Sequence, residues 1–203
     1  AASVEQIGVG FMFAPAHHGA TRHAAAPRRE LGIRTMFNGL GPLTNPAGAT
    51  RQLLGVFNYQ WQEKLVAVLA RLGCERAFVV HAEDGLDEIS VGAKTRVAEL
   101  IDGEVRWFEI DPGDFGMALS PTTDLQAQDA KRSLEIITSV FNNEDGAARD
   151  IVSLNAGAAI YLCGLSDNLE AGVARAQAVL ADGAVRDKFQ RVIEFSQTQN
   201  EDE

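Results

Sequence analysis

Apolar residues recur along this chain at two periods, one helical and one alternating. Trp61, Leu65, Val68, Leu69 and Leu72 fall at i, i+4, i+7, i+8 and i+11, one face of an amphipathic helix that Gly73 ends. Short apolar runs flank it: Gln52 to Phe57 before and Ala77-Phe78-Val79-Val80 after, both of strand type. Strand, helix, strand is the parallel crossover unit. Glu104 to Ile110 alternates in places and stops at the turn signal Asp111-Pro112-Gly113, giving a third strand. Leu134, Ile137 and Phe141 mark a helix ending near Asn142-Asn143, and Ile151, Leu154, Ala158, Tyr161 and Leu162 mark another. A last long helix starts near Asp167, whose side chain can cap it with Glu170 reaching back, and stops at Gly183. The polar, acidic tail from Gln197 to Glu203 is expected to fray. The expected fold class is α/β, a mostly parallel sheet surrounded by helices. The expected division is an α/β domain over 1–196, continuing an upstream segment, and an acidic tail over 197–203.

Composition narrows the classes. An apolar fraction of 46% with 23% charged residues over 203 positions suits one substantial globular domain. The formal charge of −10 argues against nucleic acid or an anionic membrane surface as the partner, because neither is drawn to an acidic field. Cys74 and Cys163 are far apart in apolar surroundings, which favours buried thiols over a disulfide and fits a reducing cytoplasm. The longest uncharged run, Ile151 to Leu165, is shorter than a membrane span and reads as a core helix. No basic-then-apolar signal segment opens the chain. It starts abruptly at Ala1-Ala2-Ser3 with an apolar stretch close behind, as a cut inside a larger protein would.

Three segments carry candidate chemistry. Phe11 to Gly32 contains His17, His18 and His23, but no pair has the i, i+4 spacing that sets two imidazoles on one helical face, and no carboxylate completes a zinc set. The same segment can instead wall a pocket for an aromatic anion. Arg22, His23, Arg28, Arg29 and Arg34 form a cationic island that is either a solvated face or an anion site. Gly39-Leu40-Gly41-Pro42-Leu43-Thr44-Asn45-Pro46 is a loop of fixed shape that a ligand can approach closely, although it lacks the dinucleotide and P-loop spacings. His81-Ala82-Glu83-Asp84-Gly85-Leu86-Asp87-Glu88-Ile89-Ser90 follows a strand, where open α/β sheets bind ligands. Adjacent Asp87 and Glu88 are hard oxygen donors suited to magnesium; four acids on a solvated loop is the equal alternative.

The strings FMFAP, HH, RRELGIRT, FN and GPLTNP between Phe11 and Pro46, then HAEDGLDEIS and Asn155-Ala156-Gly157-Ala158-Ala159-Ile160-Tyr161, are together similar to anthranilate phosphoribosyltransferases. The likeness covers Phe11 to Arg191. It implies a small helical domain, largely amino-terminal, and an α/β domain resembling that of pyrimidine nucleoside phosphorylases. It implies transfer of ribose 5-phosphate from phosphoribosyl pyrophosphate to the anthranilate amine in tryptophan biosynthesis, by a magnesium-dependent enzyme that is a homodimer when complete. By residue, Arg28 resembles the family's anthranilate-binding arginine; Ala14, Pro15, His18 and Gly41 line the anthranilate path; Asp87 and Glu88 resemble the pair that binds Mg2+ on the pyrophosphate. No general base is assigned, since an aniline-type nitrogen is already neutral at pH 7.

The chain departs from the family pattern at Ala82 and Gly19, where glycine and proline are common, and at Thr21, where some members carry an aromatic or apolar side chain. The family's GTGGD phosphate loop and KHGN segment appear nowhere in the sequence. The chain is therefore expected to supply the anthranilate wall and the magnesium carboxylates, and to need an amino-terminal half for activity. Two rivals fit less well: GPLTNP and RRELGIRT suit a pyrimidine nucleoside phosphorylase poorly, and a nucleic-acid-binding relative calls for a basic surface.

Overall fold

A computed structural model of the chain describes residues 2–11, 41–45 and 47–200. The chain divides into two compact units, one formed by 1–47 with 183–203 and the other by 48–182. In the first, helix α1 (Ala2–Ile7) is tied to the carboxy-terminal helix by hydrogen bonds onto its last carbonyls, Lys188 Nζ to Ile7 O at 2.6 Å and Arg191 to Gln6 O at 3.3 Å. Cations at a helix carboxyl end satisfy orphan acceptors and oppose the dipole.

The second unit is built on a four-stranded sheet in the order β1 (Arg51–Gly55), β2 (Arg76–Ala82), β3 (Thr95–Ile101), β4 (Glu104–Ile110), with helix α2 (Gln60–Arg71) crossing from β1 to β2. The α/β class is as expected. The described sheet is mixed, however, not mostly parallel: β1 pairs with β2 in parallel, whereas β2 with β3 and β3 with β4 are antiparallel. The cause is a strand, β3, that the alternation did not reveal, joined to β4 through Asp102-Gly103 with φ of 51° and 82°. Positive φ at both positions makes a two-residue hairpin that matches strand twist, and glycine meets it without strain.

Helices α3 (Ala130–Phe141), α4 (Ala147–Leu162) and α5 (Leu169–Ala181) follow. Helix α4 packs Ile151, Leu154, Ala158 and Leu162 against Phe78, Val80 and Val97, and Val173 of α5 closes the layer behind it. Because strand side chains alternate, Ala77 and Val79 face the other way, where α2 buries Leu65, Val66 and Leu69. The buried face of α2 also holds Gln62, whose Nε2 donates to the carbonyls of Val79 and Arg96 at 2.8 Å each; Leu72 is exposed rather than on that face. Glu99, largely buried on β3, accepts from the Tyr161 hydroxyl at 2.9 Å.

Three further expectations change. The cap of α5 is Asn168, accepting from Ala171 N, rather than Asp167. Gly183 ends α5 but another helix, α6 (Ala184–Asn200), begins at once, so residues 197–200 are helical. Cys74 is buried, but Cys163 is exposed at the end of α4, where its carbonyl accepts from Arg51; both are free thiols. No helix among the described residues is long and apolar enough to cross a membrane.

Candidate functional site

Parallel β1 and β2 end on the same side of the sheet, and the segment from Glu83 to Lys94 crosses that end before β3 begins. Its path is fixed by short-range bonds. Gly85 N donates to Ala82 O and Ala82 N to Leu86 O, closing a tight turn at 2.9 and 3.0 Å. Asp84 is consumed within the loop: Oδ1 accepts from Leu86 N at 3.1 Å, and Oδ2 accepts from Ser90 Oγ at 2.6 Å. Ser90 N donates to Thr95 Oγ1 at 3.0 Å, and Gly92 N to Ser90 Oγ at 2.9 Å. Ala82 is fully buried, so its methyl group is accommodated within the core where the family often has glycine.

Asp87 and Glu88 differ from Asp84. Both are exposed, and neither is ion-paired to another described residue. Their backbone is nevertheless held. A Cβ on Gly55, at the carboxyl end of β1, would lie 1.6 Å from Asp87 O, so the loop rests directly on the β1 backbone. Ile89, the next residue, is buried, and its N–H and carbonyl both bond the side chain of Asn155 on α4. Val56 N donates to Val80 O, and His81 Nδ1 lies 2.8 Å from Val56 O, which fixes the proton on that nitrogen and ties β1 to β2 beneath the loop. Glu88 also stands at the rim of an apolar groove of about 470 Å³ lined by Leu86, Leu125, Ile137, Phe141 and Val152. Desolvation against that rim, with the negative charge of Asp87 beside it, raises the Glu88 carboxyl above its ordinary value.

Two adjacent carboxylates on a fixed loop, without an ion-pair partner among the described residues, fit a hard divalent cation, which would lower the repulsion between them. Among the described residues no group of three or more His, Cys, Asp or Glu could hold a metal by itself. The pair therefore fits magnesium, which takes one or two carboxylates and completes its shell with phosphate oxygens and water.

Of the other expected site residues, Ala14, Pro15, His18 and Arg28 lie outside the described residues, as do Gly19, Thr21, the three clustered histidines and the cationic island. Gly41 belongs to the first unit and begins a single turn, its carbonyl accepting from Thr44 N and Thr44 Oγ1 at 3.2 Å each. Asp87 and Glu88 are sequence neighbours, both exposed, and the charge of one acts on the other. Sequence reasoning missed Gly55 and the role of Asn155. The available signal for Asn155 was a lone amide within the otherwise apolar face of α4.

Residues 1–186 match the family model described as Glycosyl transferase family, a/b domain. The chain belongs to this glycosyl transferase family. It is 53% identical over 193 residues to an anthranilate phosphoribosyltransferase of Thioalkalivibrio sulfidiphilus and 52% identical over 193 residues to one of Methylococcus capsulatus, in each case covering 95% of this chain and 57% of the relative. The chain thus spans little more than half the length of the curated relatives it matches. Among solved structures it resembles the anthranilate phosphoribosyltransferase of Thermus thermophilus, with a TM-score of 0.87 at 39% identity, covering 96% of this chain and 57% of that one. A Saccharomyces cerevisiae anthranilate phosphoribosyltransferase in complex with PRPP and Mg shares the fold at 24% identity, with a TM-score of 0.77, covering 88% of this chain and 51% of that one.

Proposed function

We propose that this glycosyl transferase chain contributes the anthranilate wall and the metal carboxylates of an anthranilate phosphoribosyltransferase. The observation that supports it best is the exposed Asp87-Glu88 pair, held on a fixed loop at the carboxyl ends of two parallel strands, in a chain about half identical to enzymes of that name. Asp87 and Glu88 hold Mg2+; when bound, the ion supplies positive charge to the pyrophosphate that leaves the ribose. Arg28 pairs with the anthranilate carboxylate so that the amine points at the anomeric carbon, and Ala14, Pro15, His18 and Gly41 flank the ring. The amine attacks unprotonated as the bond from the anomeric carbon to pyrophosphate breaks. The proton released from the new C–N centre passes to the pyrophosphate or to solvent, so the residues serve to orient the amine and no base is assigned to them. The amino-terminal half carries the phosphate cradle, and the complete enzyme is a cytoplasmic homodimer.

The test is Arg28→Ala in the complete enzyme, which is expected to raise KM for anthranilate mainly. A change confined to KM for phosphoribosyl pyrophosphate would remove Arg28 from the anthranilate site. Asp87→Asn with Glu88→Gln is expected to weaken magnesium dependence and turnover with the fold intact; an unchanged magnesium titration would rule out the metal assignment.

A further inference from the structure

Among the described residues the acidic pair has no side-chain partner to aim it, so the backbone on either side is what can aim it. On one side Asp87 O lies against Gly55, where no side chain could stand. On the other, Asn155 grips Ile89: Oδ1 accepts from Ile89 N at 3.0 Å and Nδ2 donates to Ile89 O at 2.9 Å. The second Nδ2 hydrogen goes to Ile151 O, one turn back on α4, at 2.9 Å. With an N–H facing Oδ1 and two carbonyls facing Nδ2, only one orientation of the amide satisfies the network. The side chain therefore serves Ile89 as a neighbouring strand would, with one donor and one acceptor, although the partner is a helix. It joins the residue directly after Glu88 to the helix that forms the core layer under the sheet. An apolar side chain at position 155 would keep the helix and leave a backbone N–H and a carbonyl of the loop without partners.

We propose that Asn155 is a positioning residue for the metal carboxylates: by fixing the Ile89 backbone it sets the directions in which Asp87 and Glu88 leave the loop, and so the affinity of the pair for a divalent cation. The proposal rests on the metal reading of that pair. It acts through the loop and not by contact with substrate, so turnover alone is a poor readout. Partners that orient a ligand are worth about 10- to 100-fold in metal affinity.

The test titrates the 203-residue chain with Mn2+, following free ion by electron paramagnetic resonance, and measures amide hydrogen exchange of the same samples. Asn155→Ala is expected to weaken Mn2+ binding by roughly 10-fold and to speed exchange at residues 87 to 89, with β2 and β3 amides still protected. Asn155→Gln keeps both the amide donor and the amide acceptor on a longer stem, guards against misfolding of the smaller variant, and is expected to restore part of the loop protection. Unchanged exchange at 87 to 89, or faster exchange beside unchanged Mn2+ affinity, overturns the proposal and leaves the metal reading standing. A wild-type chain that binds no Mn2+ overturns both.

Discussion

At the scale of single residues, the loop depends on Gly55 for contact rather than for flexibility. A methyl group there would sit 1.6 Å from Asp87 O and 2.6 Å from its carbonyl carbon, and both are backbone atoms that cannot rotate away. Gly55→Ala is expected to push the loop off β1 and cost about 1–3 kcal/mol, the usual range for overpacking; urea unfolding with an unchanged slope would measure it, and an unchanged midpoint would show that the loop does not rest there. Asp150 gives a prediction in pH. Desolvation in the first turn of α4 raises its carboxyl above the ordinary value, against the opposing pull of Arg149. A raised folded-state value means the folded chain prefers the protonated acid, so this contribution is present below the unfolded value and is lost as pH rises through the folded one. Asp150→Asn should therefore melt higher than the parent near neutrality, and the gap should close at pH below the ordinary aspartate value. Asp87 and Glu88 stand out in the sequence as two acids after a strand, where a metal site and a solvated loop are equal readings. Gly55 does not stand out: what demands it is a loop more than thirty positions away.

At the scale of elements, β1, α2, β2, β4 and the helices α3 to α5 were legible, because each has an apolar face of its own period. Strand β3 was not. Its charged members Arg96 and Glu99 break the apolar run, and only the fold shows their partners: Arg96 lies 4.6 Å over the Trp107 ring on β4, and Glu99 accepts from Tyr161. Missing β3 is what made the sheet look mostly parallel, since without it nothing turns the chain back after β2. Helix α6 was not marked for a related reason: it is polar along most of its length, and its last residues, from Gln197, read as part of an acidic tail. The hairpin is testable as a unit. Gly103 holds φ of 82°, so Gly103→Ala should cost on the order of 1 kcal/mol, strain that a side chain at positive φ adds. Equal melting temperatures for the two proteins would mean that the β3–β4 turn relaxes without loss.

At the scale of the whole molecule, the described site is one-sided. The groove beside Glu88 is lined by Leu86, Leu125, Ile137, Phe141 and Val152, and α3 adds an exposed Leu134 although its pattern is that of a packed helix. Apolar surface left open beside a charged site is the kind of surface that a further part of the protein can cover. The relatives are longer by the remainder of a protein of which this chain spans 57%. By the resemblance, the glycine-rich phosphate loop is expected in that remainder, and its recognition of phosphate depends on backbone N–H groups presented by a turn and a helix amino terminus. On the proposed reading, carboxylates and an anthranilate wall without such a cradle would hold a cation but not phosphoribosyl pyrophosphate in line with the amine. The purified chain, assayed with anthranilate, phosphoribosyl pyrophosphate and Mg2+, is therefore expected to show no turnover and to bind an apolar dye at the groove. Adding the amino-terminal half in trans should bring turnover, and dye displaced at the same time would mean that the added half also covers the groove. Clear turnover before that addition would place the phosphate site within these 203 residues and overturn the division of labour proposed for the two halves.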